Sequence, residues 1–304
     1  MTEETTAETG ARRGFRVHNI AVPARPLEQA LYLVATPIGN LGDITLRALE
    51  TLAGADVLAC EDTRVTRVLL DRYGIQNRPF AYHEHNADEA GPRLLQALEA
   101  GKSVALVSDA GTPLVSDPGY RLAQQAIEAG YRVIPIPGAS APLTALVGSG
   151  LPNDAFLFAG FLPTKDKARR DRLAEFMSAP ATLIFFESPH RIGATLLAAA
   201  DVLGGTRQAS VCRELTKTYE EFRRGTLSEL AGYYKEHDNV KGEIVLVIGP
   251  SKDEPATEAD VDAVLADLSK SLPTAKAATE AARLTGLPRK VLYQKLLDMK
   301  AADG

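Results

Sequence analysis

Apolar and polar positions alternate along this chain in two different ways. Short, continuous apolar runs are typical of buried strands, and segments with apolar residues at helical spacing lie between most of them. This alternation predicts an α/β fold with a largely parallel sheet. The runs that predict strands are 30–35, 56–60, 103–108, 132–136, 155–160, 181–186, 207–213 and 241–248.

Two breaks in this pattern, together with a polar start, divide the chain into four parts. Residues 1–27 are polar and predict a disordered tail. The Gly-Ser-Gly-Leu-Pro-Asn-Asp stretch at 148–154 predicts a boundary between one α/β domain over 28–150 and a second over 151–250. The chain then becomes acidic before a helical stripe begins, so residues 251–304 predict a small helical domain that resembles a helix-turn-helix.

The composition is that of an ordinary globular protein. The 304 residues carry a net charge of −5, so no global positive field indicates nucleic acid, although local basic patches are compatible with it. There is no apolar run near the ~20 residues of a membrane span, and the polar start does not resemble a secretory signal. Cys60 and Cys212 predict buried free thiols, and no Cys/His cluster has metal spacing. We therefore expect a cytoplasmic protein without membrane or metal.

Two polar, glycine-bearing loops follow apolar runs, at 36–45 and 108–119. Open α/β sheets bind ligands in loops of this kind, at the carboxyl ends of their strands. Neither loop contains a G-x-G-x-x-G or a P-loop motif, which argues against ATP, GTP and NAD as ligands. Taken alone, the second loop is equally compatible with an ordinary strand-to-helix connection.

Six short motifs occur in order along the two predicted α/β domains. They are TPIGNLGDITLRA at 36–48, EDTR at 61–64, SDAGTP at 108–113, SDPG at 116–119, PGAS at 137–140 and ESPHR at 187–191. Together they closely resemble the ribosomal RNA small subunit methyltransferase I family, a branch of the tetrapyrrole methylase superfamily. The resemblance covers about residues 28–250, and the basic tail also fits.

The resemblance implies a two-domain tetrapyrrole-methylase-like fold, that of class III S-adenosylmethionine methyltransferases, and a homodimer. It implies that S-adenosylmethionine binds in the cleft between the domains. Its methyl group would pass to the 2′-hydroxyl of a cytidine in the decoding region of 16S ribosomal RNA within the small subunit. The cofactor residues that it implies are Pro37, Asp109, Gly111, Thr112, Val115, Ser140, Ala141, Glu187, Gly242 and Glu243. In many tetrapyrrole methylases the central loop reads Gly-Asp-Pro, whereas here Thr112 replaces the acid, and Asp109 is the candidate to fill its role.

Transfer of a methyl group to a ribose hydroxyl would gain from a general base, typically by ~10²–10⁴-fold. Carboxylates and one histidine near the predicted loops are candidates, and the sequence leaves the choice open among them. Glu61, His83 and Asp117 are the main candidates, with Asp43, Asp62 and Asp109 as further ones. The His-Glu-His-Asn stretch at 83–86 favours a polar loop near RNA over a metal site, since alternate residues of a strand point to opposite faces.

A basic segment at 162–172 holds five cations against two acids at a predicted helix start. Cations at a helix start do not suit the macrodipole, which indicates a functional reason such as RNA binding. The alternative is a solvated helix face. The candidate RNA contacts are Lys165, Lys167, Arg169 and Arg170, with Arg64 and Arg191.

Three functions compete at this point: an RNA 2′-O-methyltransferase, a methylase of a tetrapyrrole-like small molecule, and a non-catalytic RNA-binding assembly factor. The basic segment and the basic tail over 275–300 favour RNA over a small ring. The intact set of cofactor-loop residues argues against a non-catalytic protein.

Overall fold

Two five-stranded sheets and the helices that cover them make up most of the chain. The computed structural model describes residues 13–116, 119–237, 239–251, 258–285 and 288–302. It divides into two units, Met1–Pro250 and Ser251–Gly304.

The chain enters the first unit through a short antiparallel hairpin of β1 (Gly14–Val17) and β2 (Ile20–Pro23). This is a correction, because the sequence predicts a disordered tail over 1–27; residues 1–12 lie outside the described part. Phe15 is buried in the core of the first sheet, which anchors the hairpin. Strands of four residues are too short to give a clear alternating pattern in sequence.

The first sheet is parallel throughout, as α/β alternation predicts. Its strands are ordered β5-β4-β6-β3-β7 and are buried on both faces by helices. The strands are β3 (Leu31–Val34), β4 (Val57–Cys60), β5 (Pro79–Ala81), β6 (Val104–Val107) and β7 (Val133–Ile136). The helices are α1 (Leu46–Gly54), α2 (Thr63–Arg72), α3 (Ala87–Glu99), α4 (Tyr120–Glu128) and α5 (Ala141–Ser149). Side chains set the helix starts: Thr45 caps α1 and Asp62 caps α2.

The second sheet is mixed, which corrects the expectation of largely parallel pairing. In the order β11-β10-β12-β9-β8, only β8 and β9 run parallel. The strands are β8 (Phe156–Phe161), β9 (Thr182–Glu187), β10 (Gln208–Arg213), β11 (Glu221–Thr226) and β12 (Ile244–Ile248). The helices are α6 (Asp166–Ala174), α7 (Ile192–Leu203) and α8 (Leu227–Glu236). No helix separates β10 from β11, so the two strands pair as an antiparallel hairpin.

Helix α5 joins the two sheets into one unit. It follows the last strand of the first sheet, yet its Ala145 and Leu146 pack with residues from β9, β10 and β12. The contact is close, because a Cβ added at Gly148 would lie 2.3 Å from the Phe222 ring.

The second unit consists of three helices. They are α9 (Glu258–Ser271), α10 (Thr274–Thr285) and α11 (Arg289–Ala302). Their core contains Val261 and Leu265, which belong to the helical stripe visible in the sequence, together with alanines of α10 and Leu292 and Leu296 of α11. The junction at 252–257 and residues 286–287 lie outside the described part.

Candidate active site

Three loops meet at the carboxyl edge of the first sheet, after β3, β6 and β7. Thr36 and Gly111 exchange two backbone hydrogen bonds of 2.9 and 3.0 Å, which join the first two loops. The Thr36 hydroxyl donates to the carbonyl of Ser108 at 3.2 Å. The Thr112 hydroxyl donates to the carbonyl of Ala139 at 3.3 Å and so joins the third loop. The edge is therefore held together by hydrogen bonds between loops.

The loop after β6 has a strained backbone. Leu114 and Ser116 adopt φ values of +70° and +63°, and Gly111 and Gly119 adopt +79° and +119°. A non-glycine residue in the left-handed region costs on the order of 1–3 kcal/mol, and such residues concentrate at functional sites. This strain supports the interpretation of the loop as a ligand site rather than an ordinary connection.

The second sheet contributes a wall at Gly242 and Glu243, which the turn between β10 and β11 supports. Glu214 stands at the start of this turn, and its Oε1 accepts from the backbone N–H of Glu243 at 3.0 Å and from Lys217 Nζ at 2.8 Å. Lys217 Nζ also donates to Glu243 Oε2 at 3.0 Å. Burial disfavours the charged ammonium, but these hydrogen bonds outweigh that effect and raise the pKa of Lys217. The wall thus carries a fixed cation between two carboxylates.

A cleft of about 380 Å³, here called the central cleft, lies between these loops and this wall. Apolar side chains, among them Ile38, Phe161 and Phe186, form part of its lining. Eight of the ten residues predicted to bind the cofactor also line it: Gly111, Thr112, Val115, Ser140, Ala141, Glu187, Gly242 and Glu243. The other two, Pro37 and Asp109, line an adjoining cavity of about 350 Å³, here called the side cavity.

The amino-terminal end of α5 opens into the central cleft. Ser140 occupies its N-cap position, but the hydroxyl makes no capping hydrogen bond. The first N–H groups of a helix have no partner within the helix and carry the positive end of its dipole. This end of the cleft therefore favours a negatively charged or hydrogen-bond-accepting group.

Glu187 lines the cleft without offering its charge to a ligand. Its carboxylate accepts from the N–H of Ser188 at 2.7 Å and from the hydroxyl of Thr195 at 2.6 Å, and Arg191 Nε lies 3.3 Å away. The side chain is fully buried. The carboxylate therefore positions the start of α7, a role that the motif alone does not reveal.

The three main base candidates do not come together at the cleft. Glu61 and His83 line neither the central cleft nor the side cavity. Asp117 lies outside the described residues. Asp62 binds the exposed Arg64 at 2.5 Å, and that arginine lowers the pKa of Asp62 to about 2.

The basic segment is only partly available to a partner. Lys165 and Lys167 are exposed. Arg169, in contrast, is buried and bonds Asp166 at 2.8 Å, which contradicts its expected place at a surface. Arg170 pairs with Asp166 and with Asp201, both at 2.9 Å. Helical spacing of three and four residues explains the two pairs with Asp166, whereas Asp201 belongs to the neighbouring helix α7.

Arg191 also has an internal role, because its guanidinium donates to the carbonyl of Leu162 at 2.7 Å. The turn containing Glu214 and Lys217 is absent from the sequence predictions. Apart from Tyr219 and the buried Leu215, its residues are polar, so apolar patterning does not reveal it.

Within the described part of the chain, no helix is both long and apolar enough to cross a membrane. The same residues contain no group of three or more His, Cys, Asp or Glu side chains arranged to hold a metal ion.

Comparison with known proteins defines the class first. Residues 30–231 match the tetrapyrrole (corrin/porphyrin) methylases. The fold resembles that of a cobalt precorrin-4 methyltransferase, with a TM-score of 0.56 and 17% identity over 73% of this chain and 95% of that one. It also resembles diphthine synthase, with a TM-score of 0.52 and 19% identity over 72% and 89% of the two chains. The fold is therefore that of a tetrapyrrole methylase.

Relatives with higher identity define the branch. Proteins named ribosomal RNA small subunit methyltransferase I are 62% identical in Mesorhizobium japonicum and 49% identical in Vibrio cholerae. These matches cover 93% and 87% of this chain and 96% and 93% of the relatives. Residues 255–300 match the RsmI C-terminal HTH domain. The chain belongs to the ribosomal RNA small subunit methyltransferase I family, which confirms the resemblance found in its motifs.

Proposed function

We propose that this protein transfers the methyl group of S-adenosylmethionine to the 2′-hydroxyl of a cytidine in the decoding region of 16S ribosomal RNA. One observation carries the proposal: eight predicted cofactor residues line a single cleft in a chain of this family. The family resemblance also implies a homodimer, and the composition leads us to expect that it acts in the cytoplasm.

The central cleft offers groups that match the two ends of this cofactor. The apolar lining, including Phe161 and Phe186, suits the adenine ring. The start of α5 carries the positive end of the helix dipole, and the Ser140 hydroxyl makes no capping hydrogen bond, so both suit the carboxylate of its amino acid end, although Pro142 contributes no N–H. When bound, the cofactor supplies an electrophilic methyl group on a sulfonium. The loops would align that methyl group with the attacking oxygen, and alignment can contribute up to ~7–11 kcal/mol.

RNA is the substrate class that the surface favours. Exposed Lys165, Lys167 and Arg64 can contact phosphates. The helical unit over 258–302 matches an HTH domain and adds exposed cations such as Lys276 and Lys290. The names of the relatives point to ribosomal RNA.

The direct test supplies the protein with labelled S-adenosylmethionine and either small ribosomal subunits or a porphyrinoid. We expect label only in the ribosomal RNA. A 2′-O-methyl group blocks alkaline cleavage of the adjacent phosphodiester, so a single resistant bond should mark the modified nucleotide. Label on the porphyrinoid alone, or no label at all, would refute the proposal.

Replacing Thr112 with Trp should weaken cofactor binding by more than about tenfold, or ~1.4 kcal/mol, because the indole would occupy the central cleft. Isothermal titration calorimetry measures the effect. Thr279→Trp is the matched control, since Thr279 is an exposed threonine in the helical unit whose hydroxyl also bonds a carbonyl, at 2.9 Å. Equal affinity in the two variants would place the cofactor elsewhere.

Changing Lys165 and Lys167 to Ala should weaken subunit binding and flatten its dependence on salt. Each lost phosphate contact lowers the log–log salt slope by ~0.7–0.9, so the pair should lower it by ~1.4–1.8. Binding titrations at several salt concentrations measure the slope. The double variant of Lys102 and Lys235, two exposed lysines that line neither the central cleft nor the side cavity, should keep the wild-type slope. If the two double variants have equal salt slopes, Lys165 and Lys167 are only part of a solvated surface.

A further inference from the structure

The side cavity adjoins the central cleft and shares walls with it. Ile38, Ala110 and Glu243 line both spaces. A ligand in the side cavity would therefore lie next to a ligand in the central cleft. If the central cleft holds the methyl donor, the side cavity is the adjacent place for the methyl acceptor.

The lining of the side cavity combines an apolar face with polar groups. Val65, Val68 and Leu69 of α2 supply the apolar face, and Val68 is 60% exposed although it is a large hydrophobic residue. Lys217 supplies a cation beside it. A nucleotide base needs an apolar surface, and the cavity offers one, whereas the charge of Lys217 is already paired with Glu214 and Glu243.

Asp109 is the carboxylate of the side cavity that is placed for chemistry. Its Oδ1 accepts a hydrogen bond of 2.8 Å from the backbone N–H of Asp62, which fixes the side chain. Among the described residues, no hydrogen bond to its Oδ2 is seen. Glu243, the other carboxylate in the lining, is bound to Lys217. Asp109 also precedes Gly111 by two residues, so it lies on the loop that borders the central cleft.

We propose that the side cavity binds the target nucleotide and that Asp109 is the general base of the reaction. Asp109 takes the proton of the ribose 2′-hydroxyl on Oδ2. The ribose oxygen forms a bond to the methyl carbon as the bond from that carbon to sulfur breaks. The products are the 2′-O-methylated nucleotide, S-adenosylhomocysteine and a protonated Asp109, which then releases its proton to solvent.

This inference rests on the proposed function, and it selects Asp109 over Glu61 and His83, which line neither space. The alternative is that Asp109 only joins the loops after β4 and β6 through its bond to Asp62. Asn can accept the same hydrogen bond but cannot take the proton. Asp109→Asn therefore separates the two roles.

We expect Asp109→Asn to lower kcat for small subunits by ~10²–10⁴-fold, with KM and the cofactor Kd within about twofold of wild type. Asp71→Asn, which removes an exposed carboxylate on α2, should leave all three constants unchanged. A kcat for Asp109→Asn within threefold of wild type would overturn the role of Asp109, as would an effect confined to KM or the cofactor Kd.

Val68→Trp tests the cavity itself. The exposed position tolerates a large side chain, and the indole should block the side cavity. We expect methylation to fall at least tenfold while calorimetry shows unchanged cofactor binding. Wild-type methylation by this variant would show that the nucleotide binds elsewhere. If wild-type protein itself forms no 2′-O-methylcytidine, the proposed function fails, which is a different result from failure of either variant test.

Discussion

Replacing Gly242 with Ala should remove most of the methyl-transfer activity by displacing one wall of the central cleft. Gly242 has a φ of +95°, and an added Cβ would lie 2.4 Å from Cδ and 2.5 Å from Cγ of Glu214. Glu214 cannot simply rotate away, because it binds both Lys217 and the backbone of Glu243. The variant must either move this turn or strain it. We expect cofactor affinity to fall by at least tenfold.

Calorimetry measures the loss of cofactor affinity, and an assay with small subunits measures the loss of methyl-transfer activity. Gly204→Ala is a close control, since Gly204 has a φ of +98° but no atom within 4 Å of the added Cβ. An alanine there meets a similarly unfavourable φ, at a cost on the order of 1–3 kcal/mol, without the steric collision. If both variants bind the cofactor equally well, the contact between Gly242 and the turn at Glu214 does not shape the binding wall.

Replacing Phe185 with Ala should have the largest effect on stability. Phe185 is fully buried in β9 and packs against Phe176 at a ring-centroid distance of 5.7 Å. Truncation of a buried phenylalanine leaves a cavity and typically costs ~3–5 kcal/mol. Denaturant unfolding should show this loss of free energy. Phe156→Ala, on the edge strand β8 and 47% exposed, should lose less than half as much. Equal losses would contradict the packing described for this core.

The strands and loops with the strongest patterns could be predicted from sequence. Continuous apolar runs identify β3 and β6, because a parallel strand covered on both faces has no polar side. The polar residues that follow them must then lie at one edge of the sheet. For this reason the motif loops and the cleft between them are predictable without coordinates.

The partner of a polar side chain is much harder to predict. Arg169 and Lys165 look equivalent in the sequence, yet only the first turns inward and becomes buried with Asp166. Glu187 belongs to a recognisable motif, but its carboxylate accepts a hydrogen bond from the Thr195 hydroxyl inside the protein. Likewise, the apolar run of β12 predicts a buried strand, but it does not predict whether that strand runs parallel or antiparallel to its neighbours. Each of these outcomes depends on tertiary neighbours that periodicity does not encode.

The packing of α5 limits how a ligand can enter and leave the central cleft. The helix begins at the cleft and continues into a core shared with Ile184, Cys212 and Val247 of the second sheet. Separating the two sheets as rigid bodies would expose this core to water at about 25 cal/mol for each Å² of apolar surface. Opening the cleft by a hinge motion between the two sheets would therefore cost much free energy, which disfavours this route for ligand exchange. Turnover should instead follow the motion of the loop at 111–116, and product release should be faster in variants that loosen this loop.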